Sequence, residues 1–68
     1  MLFRSADELT ERERDVLRLV VRGLTNGQIA RRLGISERTV KGHLTHAFSR
    51  LGVSDRTSAA LWAQQNLV

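Results

Sequence analysis

The sequence has no cysteine, no proline and no tyrosine, and only one tryptophan and two phenylalanines among its 68 residues. Without cysteine, disulfides and thiolate metal sites are excluded, and nothing follows about the redox compartment. Without proline, the five glycines are left as the chain's punctuation. No apolar run approaches the ~20 residues of a membrane span, and Met1-Leu2-Phe3-Arg4 lacks the long apolar stretch of a signal peptide. A cytoplasmic protein with no membrane partner is therefore expected. A chain of this length buries only about 60% of its unfolded surface, which leaves no room for a catalytic cleft. No serine, histidine and acid come together at a spacing that would need one, so an enzyme is not expected.

What charge there is lies unevenly. The net value is +4. Up to Arg22, five arginines (4, 12, 14, 18, 22) meet five acids (7, 8, 11, 13, 15) and cancel. Beyond Gly23, Arg31, Arg32, Arg38, Lys41, Arg50 and Arg56 face only Glu37 and Asp55. A basic half suggests a polyanionic partner, although +4 by itself is also an ordinary charge for solubility. Arg12, Arg14, Arg18 and Arg22 alternate with acids at helical spacing and read as a solvated face.

The periodicity is helical throughout. Thr10 and Glu13 are spaced as a capping box, Val16, Leu17, Val20 and Leu24 form a stripe, and Gly23 suits a left-handed C-terminal residue, giving a helix over about 11–22. Thr25 with Gln28 repeats the box, and Ile29, Ala30 and Leu33 point inward up to Gly34, giving a short helix over about 26–33. Ser36 caps a third helix, 37–51, ended by Gly52, and Asp55 caps a fourth, 56–66. No stretch alternates with period two for long enough to read as a strand. The expected fold is all-α with four helices, residues 10–68 forming the domain and 1–9 a linker or frayed end. Within that end Leu9 is expected against the core, and Leu2 and Phe3 have no assignment.

Residues 26–45, N-G-Q-I-A-R-R-L-G-I-S-E-R-T-V-K-G-H-L-T, carry the most specific signal. Ala30 is small where two helices cross, Gly34 allows a sharp turn, and Ile29, Leu33, Ile35 and Val40 fill the angle between them. On the third helix Val40, Leu44, Ala47, Phe48 and Leu51 share the core face. Arg38, Lys41, Gly42, Thr45 and Ser49 share the opposite one, which is basic, polar and free of acids. Such a face suits the major groove of DNA, with donors for base edges and small residues for close approach. Gly42 costs a helix roughly 1 kcal/mol relative to alanine. It is either a point of close approach or a tolerated surface glycine. Thr25, Asn26 and Gln28 at a positive helix end suit phosphate, and Thr39, His43, His46 and Arg50 flank the recognition face. Lys41, on that face, and Arg50, beside it, are better placed for phosphate than either histidine. The competing reading makes Thr39 no more than a cap and His43 a boundary residue beside the core. His43 and His46 lie one turn apart without a third ligand, so no metal or other cofactor is expected.

By these residues the chain resembles the LuxR-type, or GerE-type, helix-turn-helix domain. The similar segments are L-T-E-R-E-R-D-V-L-R-L-V (9–20), G-L-T-N-G-Q-I-A-R-R-L-G-I-S-E-R-T-V-K-G-H-L (23–44) and L-G-V-S-D-R-T-S-A-A (51–60). The resemblance implies a four-helix domain that binds double-stranded promoter DNA as a dimer, commonly as the output domain of two-component response regulators or quorum-sensing receptors. RNA polymerase is then a second candidate partner. Lys41, Gly42 and Thr45 fall where the family reads bases, with Arg38 beside them. Thr25, Asn26, Thr39 and His43 fall where it commonly touches the backbone. The fourth helix falls where response regulators dimerise, which marks Leu61, Trp62 and Gln65. Leu61 and Trp62 are adjacent and cannot share one direction. Gly27 stands where the family commonly carries a basic residue, and Gly42 where many members have a larger side chain. The opening L-T-x-R-E and I-A-x-x-L-G-I-S also look like a sigma-factor region 4, but that module needs no fourth helix. A protein-interaction module without DNA is the alternative from another class, and Arg38, Lys41 and Thr45 argue against it.

Overall fold

Four short polar side chains start the four helices. In the computed structural model, which describes residues 8–67, these helices are α1 (Glu11–Val21), α2 (Asn26–Leu33), α3 (Glu37–Leu51) and α4 (Arg56–Asn66). Thr10 Oγ1 accepts from the Glu13 amide at 3.1 Å while Glu13 Oε1 accepts from the Thr10 amide at 3.0 Å. Thr25 and Gln28 make the same reciprocal pair at 3.2 and 2.9 Å. Ser36 caps the Thr39 amide at 3.0 Å and Asp55 the Ser58 amide at 2.7 Å. Each bond satisfies a donor that the first turn of a helix leaves free. The fold is all-α, with no strand among the described residues. Three expected helix ranges coincide with the observed ones, and α1 stops one residue earlier, at Val21.

The first three helices also end alike. The amides of Leu24, Ile35 and Val53 return to the carbonyls of Leu19, Ala30 and Phe48 at 3.2, 3.0 and 3.0 Å. This closure needs a left-handed residue between helix and turn, and Gly34 (φ 70°) supplies it in the turn between α2 and α3. A side chain at Gly34 would be strained there whatever the space around it.

α1 is central: α3 and α4 both pack on it, and α2 packs chiefly on α3. Leu9, Val16, Leu17, Ile29, Val40, Leu44 and Ala47 are buried in one core, with Leu24, Leu33, Ile35, Phe48 and Leu51 half-buried around it. Leu9 thus belongs to the core, as expected. The readings on Leu2 and Phe3 lie outside the described residues. α4 meets α1 through Ala59 and Ala63, both fully buried, so small residues set the close approach of that pair.

Candidate nucleic-acid interface

The core contacts of α3 decide what it shows to solvent. With Val40, Leu44 and Ala47 buried, Arg38, Lys41, Thr45 and Ser49 are exposed on the other side and Gly42 is half-exposed among them. A side chain added at Gly42 would meet nothing within 4 Å, so no packing within the fold requires glycine there. The one acid of α3, Glu37, is exposed at the helix start, one turn before Lys41.

The start of α2 lies beside it. Asn26 lines a groove of about 320 Å³ together with Lys41 and Thr45 of α3 and Arg56 of α4, over a floor of Leu44 and Phe48. Two further expected phosphate residues, Thr25 and Gln28, have part of their polar capacity committed to the capping box. Gln28 also lines a second groove with Leu24, Arg31 and Arg32. A side chain at Gly27 would sit 3.0 Å from the Glu37 carboxylate, which shows how closely the starts of α2 and α3 approach. Thr39 is exposed with its hydroxyl 2.8 Å from that of Ser36, His43 is half-buried, and His46 is exposed.

Arg50, expected beside the recognition face, has a partner within the fold. Its Nη1 donates to both oxygens of Glu13, at 2.6 and 2.5 Å, across 37 residues of sequence. Glu13 is only 2% exposed, so it does not belong to the solvated face expected of the α1 charges. Burial pushes its carboxyl up. The Thr10 amide, the Arg50 guanidinium and the nearby charge of His46 outweigh that and hold it below the usual carboxylate range. A guanidinium neutralised by a buried carboxylate has little net charge to offer a phosphate. Arg50 therefore joins α3 to α1, with 40% of its side chain still exposed. The exposed charges of α1 behave as expected at Asp15, which Arg12 and Arg18 approach at 3.8 and 3.5 Å.

On α4 the adjacent pair separates as its geometry demands. Leu61 is 56% exposed, the one large hydrophobic exposed to that degree among the described residues. Trp62 is half-buried against the core, and Gln65 is exposed. Trp62 is therefore part of the packing, and Leu61 and Gln65 are the expected dimer residues that are free to meet a partner.

Sequence reasoning missed Arg56. Its Nη1 donates to Asn26 Oδ1 at 2.8 Å and its Nη2 to the Leu24 carbonyl at 2.7 Å, which fastens the start of α4 to the start of α2. No local pattern announces a contact across 30 residues. The burial of Glu13 did leave a signal, because residues 13, 16, 17 and 20 follow the spacing of one helix face.

Residues 7–63 match the model of the GerE family, described as bacterial regulatory proteins, luxR family. Over 65 residues the chain is 45% identical to the nitrate/nitrite response regulator protein NarL of Escherichia coli, covering 96% of this chain and 30% of that protein. It is 47% identical over 60 residues to the transcriptional regulatory protein LiaR of Bacillus subtilis, covering 88% and 28%. Among solved structures, the transcription factor GerE aligns with a TM-score of 0.77 at 40% identity, covering 84% of this chain and 85% of that one. The response regulator ChrA of a heme-sensing two-component system aligns at 0.79 and 49%, covering 84% and 28%. The chain thus spans under a third of the length of these curated relatives, both of them named as regulators.

Proposed function

The chain belongs to the luxR family of bacterial regulatory proteins, and on that premise we propose that it binds double-stranded promoter DNA with α3 in the major groove. The observation that supports this most is the outward face of α3, where Arg38, Lys41 and Thr45 stand exposed around Gly42 with no acid beyond Glu37 at the helix start. In this reading Lys41, Thr45 and Arg38 meet base edges, and Gly42 lets the helix approach closely. Thr25, Asn26, Gln28, Thr39 and His43 hold the flanking phosphates, with His46 at the margin. The start of α2 contributes its free amides as well as its side chains.

Two copies bind paired half-sites through α4, where Leu61 offers exposed apolar surface beside Gln65. The chain acts in the cytoplasm, as the DNA-binding part of a response-regulator-like protein, and RNA polymerase is its partner if it activates transcription. No helix among the described residues is long and apolar enough to cross a membrane.

Titration against duplexes selected from a random-sequence pool tests the reading. Binding should weaken linearly in log K with log salt, because neutralised phosphates release counterions. Absence of binding at low salt, even at high protein concentration, would overturn it.

A further inference from the structure

Arg56 brackets the residue that caps α2. One guanidinium nitrogen holds the carbonyl of Leu24, before the cap Thr25, and the other holds the side chain of Asn26, after it. Both bonds are partly buried. An arginine has only donors, so the atom that Asn26 turns toward it must be its oxygen. That choice leaves the amide NH2 turned away, and no described residue accepts from it. Asn26 also lines the groove that it shares with Lys41 and Thr45 on the α3 face.

We propose that Arg56 is a positioning residue: it locks the Asn26 amide so that its Nδ2 donates to a DNA phosphate beside α3. The inference rests on the DNA-binding reading above and adds to it a residue on α4 that acts through α2. A freely rotating asparagine would present its carbonyl to the phosphate in part of the population and be repelled. Fixing the flip in advance removes that cost from binding. It also makes the phosphate contact at the start of α2 depend on where α4 begins, the helix proposed for pairing two copies.

Asn26→Asp separates this from a purely structural role. Aspartate keeps the acceptor for Arg56, now as a charge-assisted bond, and suits the first turn of a helix. It replaces the NH2 donor by a second carboxylate oxygen. The melting temperature should hold or rise, while affinity for a selected duplex at ~100 mM salt falls by about tenfold or more. Arg12→Gln, which removes one unit of positive charge at the exposed start of α1, controls for net charge and should cost less than about threefold. Arg56→Gln should weaken binding as well. In that background Asn26→Ala should add little, whereas in the unaltered chain it costs about tenfold. If Asn26→Asp binds within threefold of the Arg12→Gln control, or if the Arg56→Gln and Asn26→Ala losses simply add, the positioning role is wrong. If the unaltered chain binds no duplex at all, the DNA-binding reading itself has failed.

Discussion

Replacing Glu13 by glutamine removes a buried charge while keeping Oε1 for the Thr10 amide, so the capping box survives and the charged two-oxygen acceptor of Arg50 is reduced to one neutral oxygen. In the folded chain Arg50 Nη1 bonds both oxygens of Glu13, whose side chain is 3% exposed while that of Arg50 is 40% exposed. A hydrogen bond to a charged group contributes about 1.5–3 kcal/mol net. Arg50 can be rehydrated once released, so the lower part of that range applies, about 1.5–2 kcal/mol. For a domain this small, each kcal/mol moves the melting temperature by roughly 4–8 °C. The drop should therefore be about 5–15 °C in thermal melts followed by circular dichroism at pH 7. The difference should also depend on pH. The folded carboxyl lies below its ordinary value of 4.5, so the unfolded chain takes up the proton first as the pH falls. The stabilisation is complete above about 4.5 and is lost as the pH falls through the folded value, so the two proteins converge in acid. Equal melting temperatures at pH 7, or a gap that persists undiminished at low pH, would refute the reasoning. Arg50→Ala should cost more than Glu13→Gln, because it leaves the buried Glu13 carboxylate without its counter-charge, while leaving the salt slope of DNA binding nearly unchanged if Arg50 serves only as a joint between helices.

Leu61→Glu should leave the melting temperature within about 0.5 kcal/mol of stability, because the side chain is mostly in solvent, and should abolish cooperative occupation of a duplex with two half-sites; retained cooperativity would exclude this surface. Trp62→Glu should instead destabilise the fold, since Trp62 packs on the core, and a melt distinguishes the two. Gly27→Lys should tighten DNA binding and steepen the salt slope by about one unit, by adding a cation at the start of α2. The Glu37 carboxylate must swing aside for it, and an unchanged slope would show that this turn does not face phosphate.

The legible part of the fold is the part encoded within one helical turn. Thr10 with Glu13, Thr25 with Gln28, Ser36 and Asp55 announce the starts of the helices because a cap and its amide lie three residues apart. Gly34 and Gly52 announce ends because the closing turn needs a left-handed residue. The outward face of α3 was legible for the same reason, since its inward residues repeat at helical spacing. Contacts that cross the chain were not. Arg50 read as a free cation because nothing near it in sequence shows that Glu13 is buried opposite it. Arg56 read as ordinary charge for the same reason. The buried face of α4 is built from Ala59 and Ala63, which give too weak an apolar signal to separate Leu61 from Trp62 in advance.

The central claim is that the outward face of α3 reads base edges, and Lys41 is its most exposed test. The decisive measurement is the affinity of the unaltered chain and of Lys41→Ala for a selected duplex and for a random one, at the same salt concentration. The account predicts that Lys41→Ala weakens the selected duplex by about 1–3 kcal/mol more than the random one, so that discrimination shrinks. Equal loss on both would make Lys41 a phosphate contact. No loss on either would contradict the placement of this face against DNA.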